Sequence, residues 1–233
     1  MALRTEVHAD PEAVARRAAA WIAGTTRQAI GQRDRCVLAL SGGTTPLPML
    51  RVLATTPIDW RKVEVVQVDE RVAPGASPDR NLAQLREALL ARIPLPESQI
   101  HPMPVEETDL GWAAQDYGRL LVSLAGAPPR LDLVVLGLGA DGHTASLVPG
   151  DAALDIRDAD VAVTGLYQGR RRMTLTFPAI NRARHILWLV TGADKAEMLA
   201  RLVQADPALP ASRVRRASAL LLADRAAAAH LPP

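Results

Sequence analysis

Short runs of apolar residues alternate along the chain with longer segments in which apolar residues recur every three or four positions. The apolar runs predict strands at 35–40, 63–68, 131–136, 173–177 and 185–190, with weaker candidates at 161–164 and 219–222. The periodic segments predict helices at 11–30, 47–54, 80–93, 110–124 and 194–203. Strands that are apolar on both faces and separated by helices are typical of a parallel sheet covered by helices, so we predict an α/β fold.

The domain organisation follows from what separates these elements. The 233 residues contain no long Gly/Ser- or Pro-rich segment, and Pro128-Pro129 is too short to act as a linker. We therefore expect one domain over residues 1–233.

Composition narrows the class of partner. The 27 basic and 25 acidic residues leave a formal charge of +2, and aromatic residues make up only 3%, which disfavours the stacking surfaces of nucleic-acid binders. With one cysteine, Cys36, the chain can form neither an internal disulfide nor a cysteine-rich metal site. The sequence shows no signal-peptide pattern and no membrane-length apolar run, so we expect a soluble cytoplasmic protein that contacts neither membrane nor nucleic acid.

Three unusual loops directly follow predicted strands, at 41–46 (SGGTTP), 69–74 (DERVAP) and 137–150 (GLGADGHTASLVPG). Active sites of parallel sheets lie at the carboxyl ends of the strands, so the loops are expected to converge at one rim. The three adjacent charges that begin the second loop would also fit a solvated turn.

The last loop contains Gly137, Gly139 and Gly142 at the spacing G-x-G-x-x-G, which also occurs in dinucleotide-binding turns. In such a turn the last glycine opens a long helix whose N-terminus faces the pyrophosphate. Here Pro149 would stop a helix after about two turns. We therefore interpret the glycines as a sharp turn that presents His143, and reject the nucleotide site.

This turn places a carboxylate two residues before a histidine, as Asp141 and His143. A carboxylate near an imidazole fixes its tautomer and raises its basicity, as a general base requires. A structural histidine in a tight turn is the alternative. Because the pair lies in a Gly-rich loop after a buried strand, we favour a functional role.

The loop at 41–46 has the composition of a phosphate-binding turn. Its hydroxyl groups and the N–H groups at the following helix start would suit a phosphate, although a plain strand–helix turn fits the same residues. Arg172 precedes a predicted strand and Lys195 begins a predicted helix. Basic residues at the same rim suggest that an anion is clamped there.

Together these segments resemble the 6-phosphogluconolactonase family. The resemblance runs in order over nearly the whole chain, through SGGTTP, VDERVAP, LGLGADGHTASLVPG, RRMTLTFPAIN, LWLVTGADKAEML and SALLLADRAA. The segment DGHTASL is its most specific part.

The resemblance implies a Rossmann-like three-layer α/β sandwich with a mostly parallel sheet. It also implies hydrolysis of 6-phospho-D-glucono-1,5-lactone to 6-phosphogluconate, the second step of the oxidative pentose phosphate pathway, without a metal or organic cofactor. By motif position, His143 is the implied general base and Asp141 its neighbour. The residues expected to hold the substrate and its phosphate are Gly42, Gly43, Thr44, Asp69, Arg71, Arg172 and Lys195.

The implied chemistry needs few groups. His143 would take a proton from the water that attacks the lactone carbonyl, and Arg71 and loop N–H groups are equal candidates to stabilise the oxyanion. Two positions depart from the family pattern. Arg80 stands where a small residue is usual and Val148 where Phe is common, and neither change removes a group that the chemistry needs.

Two other functions stay open. Glucosamine-6-phosphate deaminases have a similar loop, but with Asp-Glu-Tyr where this chain has Asp69-Glu70-Arg71, and with Glu at the position of Val148. A non-catalytic sugar-phosphate sensor would keep the phosphate loop without needing His143. The expected partner is a small phosphosugar lactone, and we expect a monomer, with an oligomer left open.

Overall fold

The computed structural model describes residues 3–231, which contain ten strands in two sheets. The strands are β1 (Arg4–His8), β2 (Cys36–Leu40), β3 (Val63–Gln67), β4 (Asp69–Arg71), β5 (Ile100–His101), β6 (Leu133–Gly137), β7 (Val161–Val163), β8 (Arg172–Leu175), β9 (His185–Val190) and β10 (Ala219–Asp224). Seven of them form one sheet in the order β1-β10-β9-β6-β2-β3-β5, and every pair in it is parallel.

Six α-helices cover the two faces of this sheet. They are α1 (Pro11–Arg33), α2 (Pro46–Ala54), α3 (Asn81–Ala88), α4 (Leu110–Ala125), α5 (Phe177–Arg182) and α6 (Ala196–Val203). The first three pack on one face and the last three on the other, so the predicted α/β sandwich of three layers is confirmed. Within residues 3–231, no helix is both long and apolar enough to cross a membrane.

Strand β2 shows why the predicted strands are apolar throughout. Cys36, Leu38 and Leu40 point into the core under α1 and α2, whereas Val37 and Ala39 point into the core on the opposite face. Successive side chains of a strand alternate between faces, so a strand covered on both sides needs an unbroken apolar run.

A small antiparallel sheet, in the order β4-β8-β7, packs beside α4. The strand predicted at 173–177 belongs here and not to the main sheet; it starts at Arg172 and ends at Leu175. The loop expected at 69–74 begins as strand β4, with Asp69 and Glu70 buried. The solvated-turn alternative is therefore wrong for these two carboxylates.

Other boundaries differ from the predictions for local reasons. The helix predicted at 80–93 ends at Ala88, and a single 3-10 turn, Leu90–Arg92, follows. Strand β5 has only two residues, and β1 is an edge strand with a mixed polar and apolar sequence. Neither produces the apolar run from which the other strands of the main sheet were predicted.

The strand order reverses between β2 and β6. From β2 the chain continues outward through β3 to β5, whereas β6, β9 and β10 extend in the opposite direction. A crevice outside the carboxyl ends of two such strands is the usual ligand site of an open α/β sheet. The loops at 41–46 and 137–150 start at this point.

Candidate active site

A cleft of about 470 Å³ lies at this point, and residues of all three loops line it, as predicted. The residues expected at the site that line the cleft are Gly42, Gly43, Thr44, Asp69, Arg71, His143, Arg172 and Lys195. Asp141, the ninth, does not line it but contacts His143.

The imidazole of His143 is held by Asp141. Its Nδ1 lies 2.5 Å from Asp141 Oδ1, and the same oxygen accepts a hydrogen bond from the His143 backbone N–H at 3.2 Å. Burial raises the pKa of the Asp141 carboxyl, but the charge and hydrogen bonds of its neighbours outweigh this and place that pKa below its usual value. The ionised carboxylate accepts a hydrogen bond from Nδ1–H, so in the neutral ring Nε2 has the free lone pair.

Glycines shape the turn around this pair. A Cβ at Gly139 would lie 2.1 Å from His143 Nδ1 and 2.7 Å from Asp141 Oδ1, so the imidazole occupies the space that any side chain would need. Gly142 has φ +84°, which an L side chain rarely adopts. The G-x-G-x-x-G spacing thus serves the close approach of a side chain to the backbone. No long helix follows Gly142.

Tyr167 completes the surroundings of Asp141. Its hydroxyl donates to Asp141 Oδ2 at 2.9 Å, and its ring meets the His143 ring edge to face, with centroids 5.5 Å apart. Burial and the adjacent carboxylate both raise the pKa of Tyr167, so the hydroxyl keeps its proton and acts as a donor. No local sequence pattern indicates Tyr167, because its partner Asp141 lies 26 residues away.

The loop at 41–46 offers fewer donors than its sequence suggested. The Ser41 hydroxyl donates to the Val135 carbonyl at 2.8 Å, and the Gly43 N–H donates to Gln84 Oε1 at 2.7 Å. Pro46 and Pro48, in the first turn of α2, have no N–H. Backbone groups of the helix start are thus a small part of any anion site here, and the free hydroxyl of exposed Thr44 is the more accessible donor.

Close packing fixes the path of this loop. A Cβ at Gly42 would lie within 2.4–2.6 Å of atoms of Asn81. The amide of Asn81 in turn donates to the Asp69 backbone carbonyl at 2.9 Å and lies 3.3 Å from Asp69 Oδ1. A glycine at position 42 therefore lets the first loop lie against the start of α3.

Asp69 is a buried carboxylate at the floor of the cleft. Its Oδ2 accepts a hydrogen bond from the Ser146 hydroxyl at 2.6 Å. Burial raises the pKa of Asp69, although the Ser146 hydrogen bond and the charge of Arg172 oppose this rise. Through this hydrogen bond, Asp69 joins the loop at 137–150 to the small sheet.

The neighbouring Glu70 supports the site from beneath. It is fully buried, accepts hydrogen bonds from the N–H groups of Asn81 and Leu82 at 2.8 and 2.9 Å, and pairs with Arg80 at 3.1 Å. It therefore satisfies the first N–H groups of α3 in place of a local capping residue. The unusual Arg80 is the buried counter-ion of Glu70.

Three basic side chains line the cleft. Arg172 is almost completely buried; its guanidinium donates to Gln168 Oε1 at 3.2 Å, and its Nε has no partner within residues 3–231. Burial lowers the pKa of Arg172, yet a guanidinium remains protonated in proteins. Lys195 pairs with exposed Asp194 at 2.9 Å, and Arg71 donates to the backbone carbonyl of Asp79 at 2.5 Å.

A candidate metal centre does not stand out. Within the part of the chain that the structure describes, no three His, Cys, Asp or Glu side chains lie close enough together to hold a metal ion.

Comparison with known proteins matches residues 9–222 to the family described as glucosamine-6-phosphate isomerases/6-phosphogluconolactonase. The chain belongs to this family. Among its curated relatives, a 6-phosphogluconolactonase of Synechocystis sp. is 39% identical over 213 residues, which cover 89% of this chain and 88% of that protein.

Solved structures agree with this assignment. The 6-phosphogluconolactonase of Trypanosoma brucei is 29% identical, with a TM-score of 0.87 and coverage of 99% of both chains. A monomeric glucosamine-6-phosphate deaminase has a TM-score of 0.86 over 98% of this chain and 100% of its own, but at 21% identity it shows only that the fold is shared.

Proposed function

We propose that this chain hydrolyses 6-phospho-D-glucono-1,5-lactone to 6-phospho-D-gluconate, the second step of the oxidative pentose phosphate pathway. The observation that carries the proposal is the His143–Asp141 pair at the rim of a cleft that also holds Arg172 and Lys195. A base and an anion clamp in one cleft fit a substrate that has an electrophilic carbonyl at one end and a phosphate at the other. Relatives that share this family are named 6-phosphogluconolactonase.

Catalysis starts at Nε2 of His143. This nitrogen takes a proton from water while the water oxygen bonds to the lactone carbonyl carbon. When the tetrahedral intermediate collapses, the bond to the ring oxygen breaks and the imidazolium returns the proton to that oxygen. Asp141 stabilises the imidazolium in between and holds the ring in one tautomer.

The intermediate also needs a partner for its oxyanion. Arg71 and N–H groups of the cleft loops are the candidates, since each lies on the cleft wall. The Gly43 N–H is already bonded to Gln84, so its use would require that hydrogen bond to break. No covalent nucleophile is required, because a lactone is already an activated ester and positioning supplies much of the rate.

The phosphate end of the substrate is assigned to Arg172, Lys195 and Thr44. Charge-assisted hydrogen bonds to phosphate are the strongest class available to side chains. Arg172 has an unpartnered Nε, and the only carboxylate that pairs with Lys195 within residues 3–231 is the exposed Asp194. Gly42, Gly43 and Asp69 then shape the floor on which the sugar ring lies.

The test is an assay with lactone generated in situ, scored against its spontaneous opening, alongside glucosamine 6-phosphate. Hydrolysis well above the spontaneous rate, with no ammonia released from the amino sugar, supports the proposal. Ammonia release without lactone hydrolysis would identify a deaminase. That outcome is not expected, since Val148 presents a buried apolar side chain where deaminases have a carboxylate. Tight binding without turnover would identify a sensor.

Several properties stay predictions from the sequence. They are a single domain over residues 1–233, a monomeric state, a cytoplasmic location, the absence of nucleic-acid binding, and activity without metal or organic cofactor. Dialysis against a chelator would test the last of these.

A further inference from the structure

Tyr167 touches both halves of the candidate site without lining the cleft. On one side its hydroxyl donates to Asp141 Oδ2 at 2.9 Å and its ring packs edge to face against His143. On the other side, the guanidinium carbon of Arg172 lies 4.9 Å from the centroid of the same ring. One side chain thus connects the proposed base pair to the proposed phosphate clamp.

The turn that carries Tyr167 has a defined shape. Tyr167 and Arg170 exchange backbone hydrogen bonds at 2.9 and 3.2 Å, and Gln168 and Gly169 between them both have positive φ, 52° and 76°. Two central residues with positive φ form the tight hairpin turn that matches the twist of its strands. Arg170 also pairs with Asp79 at 2.7 Å, which ties the turn to the segment between β4 and α3.

The hydrogen bonds of Asp141 show what the hydroxyl adds. Oδ1 is occupied by the ring and backbone of His143, and Oδ2 by Tyr167. With both oxygens bonded, the carboxylate plane cannot rotate without breaking a hydrogen bond. The direction in which Nε2 of His143 points is set through this carboxylate.

We propose that Tyr167 is a positioning residue, which fixes the Asp141 carboxylate behind His143 and stacks beneath Arg172 so that base and phosphate clamp keep one relative geometry. This inference rests on the proposed role of His143. The ring beneath Arg172 and the hydroxyl on Asp141 are separable parts of it, and two substitutions distinguish them.

The Tyr167 hydroxyl also changes how strongly the charge of Asp141 acts on the His143 ring. Its hydrogen bond stabilises the Asp141 carboxylate and draws charge away from the imidazole side. Removing it leaves more negative charge facing His143, which favours the protonated ring. The charge of Asp69, which also acts on this ring, and that of Arg172, which acts on both Asp69 and Asp141, stay in place. The acid limb of the pH–rate profile therefore moves to higher pH in Tyr167→Phe.

The experiment compares Tyr167→Phe, Tyr167→Leu and Leu166→Ala with the unaltered chain. Leu166 is the matched control, because it is the exposed neighbour on the same turn. For Tyr167→Phe we expect kcat to fall about tenfold, the usual effect of losing one hydrogen bond to a charged group. Its KM for the phosphorylated lactone should not change, since the ring remains beneath Arg172. Tyr167→Leu should also raise KM, and Leu166→Ala should change neither constant.

A readout independent of turnover is the NMR titration of the His143 ring, assigned by its absence in His143→Asn. Its midpoint should move to higher pH in Tyr167→Phe. An unchanged midpoint overturns the inference, even if kcat falls, because the loss would then be merely structural. A wild-type kcat in Tyr167→Phe also overturns it. Failure of the proposed function is distinguishable, since the unaltered chain would then show no hydrolysis above the spontaneous rate. Failure of the role of His143 would appear as a wild-type rate in His143→Asn.

Discussion

At Gly139 the missing side chain is as important as any side chain present in the cleft. The His143 ring and the Asp141 carboxylate fill the position of its Cβ. We predict that Gly139→Ala lowers kcat by about 10²–10⁴-fold, the range attributed to general-base catalysis, because the imidazole must leave its place. Steady-state kinetics and circular dichroism would show lost activity on an intact fold. Gly118→Ala is the control, since a Cβ in that position on α4 meets no atom within 4 Å apart from its own helix backbone, and it should retain full activity.

At the same scale, the base itself can be tested by a substitution that keeps polarity. We predict that His143→Asn loses about 10²–10⁴-fold in kcat, because an amide nitrogen cannot accept the proton from water. For the unaltered chain, the rate should fall toward acid pH, because a protonated imidazole cannot accept the proton from water. The measurement is lactone hydrolysis corrected for spontaneous opening. A folded His143→Asn variant with wild-type turnover would remove this residue from the mechanism.

Helices and strands with a regular pattern of apolar residues could be predicted from the sequence. Features that depend on contacts between residues far apart in the chain could not. Strand β9 was predicted with its observed bounds. A strand that is covered on both faces is apolar throughout, so its own residues are enough to indicate it. The functional loops were found because each follows such a strand. Tyr167 was missed because its partner lies 26 residues away on another element, and no local spacing records that contact. Glu70 fitted a solvated turn equally well because its ion-pair partner and the helix N–H groups that it accepts lie 10 to 12 residues later.

Helix α3 shows the consequence of such a distant contact. The fully buried Glu70 accepts hydrogen bonds from the first N–H groups of this helix and pairs with the buried Arg80. We predict that Glu70→Gln lowers the free energy of unfolding by about 3–5 kcal/mol, because it removes the buried counter-ion of Arg80 and leaves that guanidinium only the exposed Glu106, at 3.4 Å. Urea unfolding measures the change. The double variant Glu70→Gln/Arg80→Met should recover part of the loss, and a single variant as stable as the unaltered chain would contradict this account.

On the scale of the whole molecule, the cleft depends on two sheets meeting. The main sheet supplies the loops after β2 and β6, whereas the small sheet supplies Asp69 and Arg172. Ser146 joins them, as its hydroxyl donates to Asp69 and its N–H donates to the Thr174 hydroxyl at 3.1 Å. The packing between the two sheets therefore sets the position of Arg172 relative to His143. The motifs indicate which residues belong to the site. The distances between them depend on how the two sheets pack, which no motif records.

This arrangement leads to a prediction about substrate discrimination. Arg172 and Lys195 come from different elements, yet both line the cleft that His143 enters. A phosphate that loses one charge-assisted partner loses about 1.5–3 kcal/mol, roughly ten- to a hundred-fold in affinity. Arg172→Ala or Lys195→Ala should therefore raise KM for the phosphorylated lactone by about that factor.

Unphosphorylated gluconolactone is the internal control for these two variants, since it has no phosphate to lose. Its hydrolysis should barely change, so that the kcat/KM for the phosphorylated lactone falls relative to that for gluconolactone. Asp194→Ala serves as the matched variant, because it removes the exposed partner of Lys195 and leaves the ammonium in place. Equal losses on both lactones would mean that Arg172 and Lys195 support the packing of the sheets or the chemistry, and the phosphate would then have to bind elsewhere in the cleft.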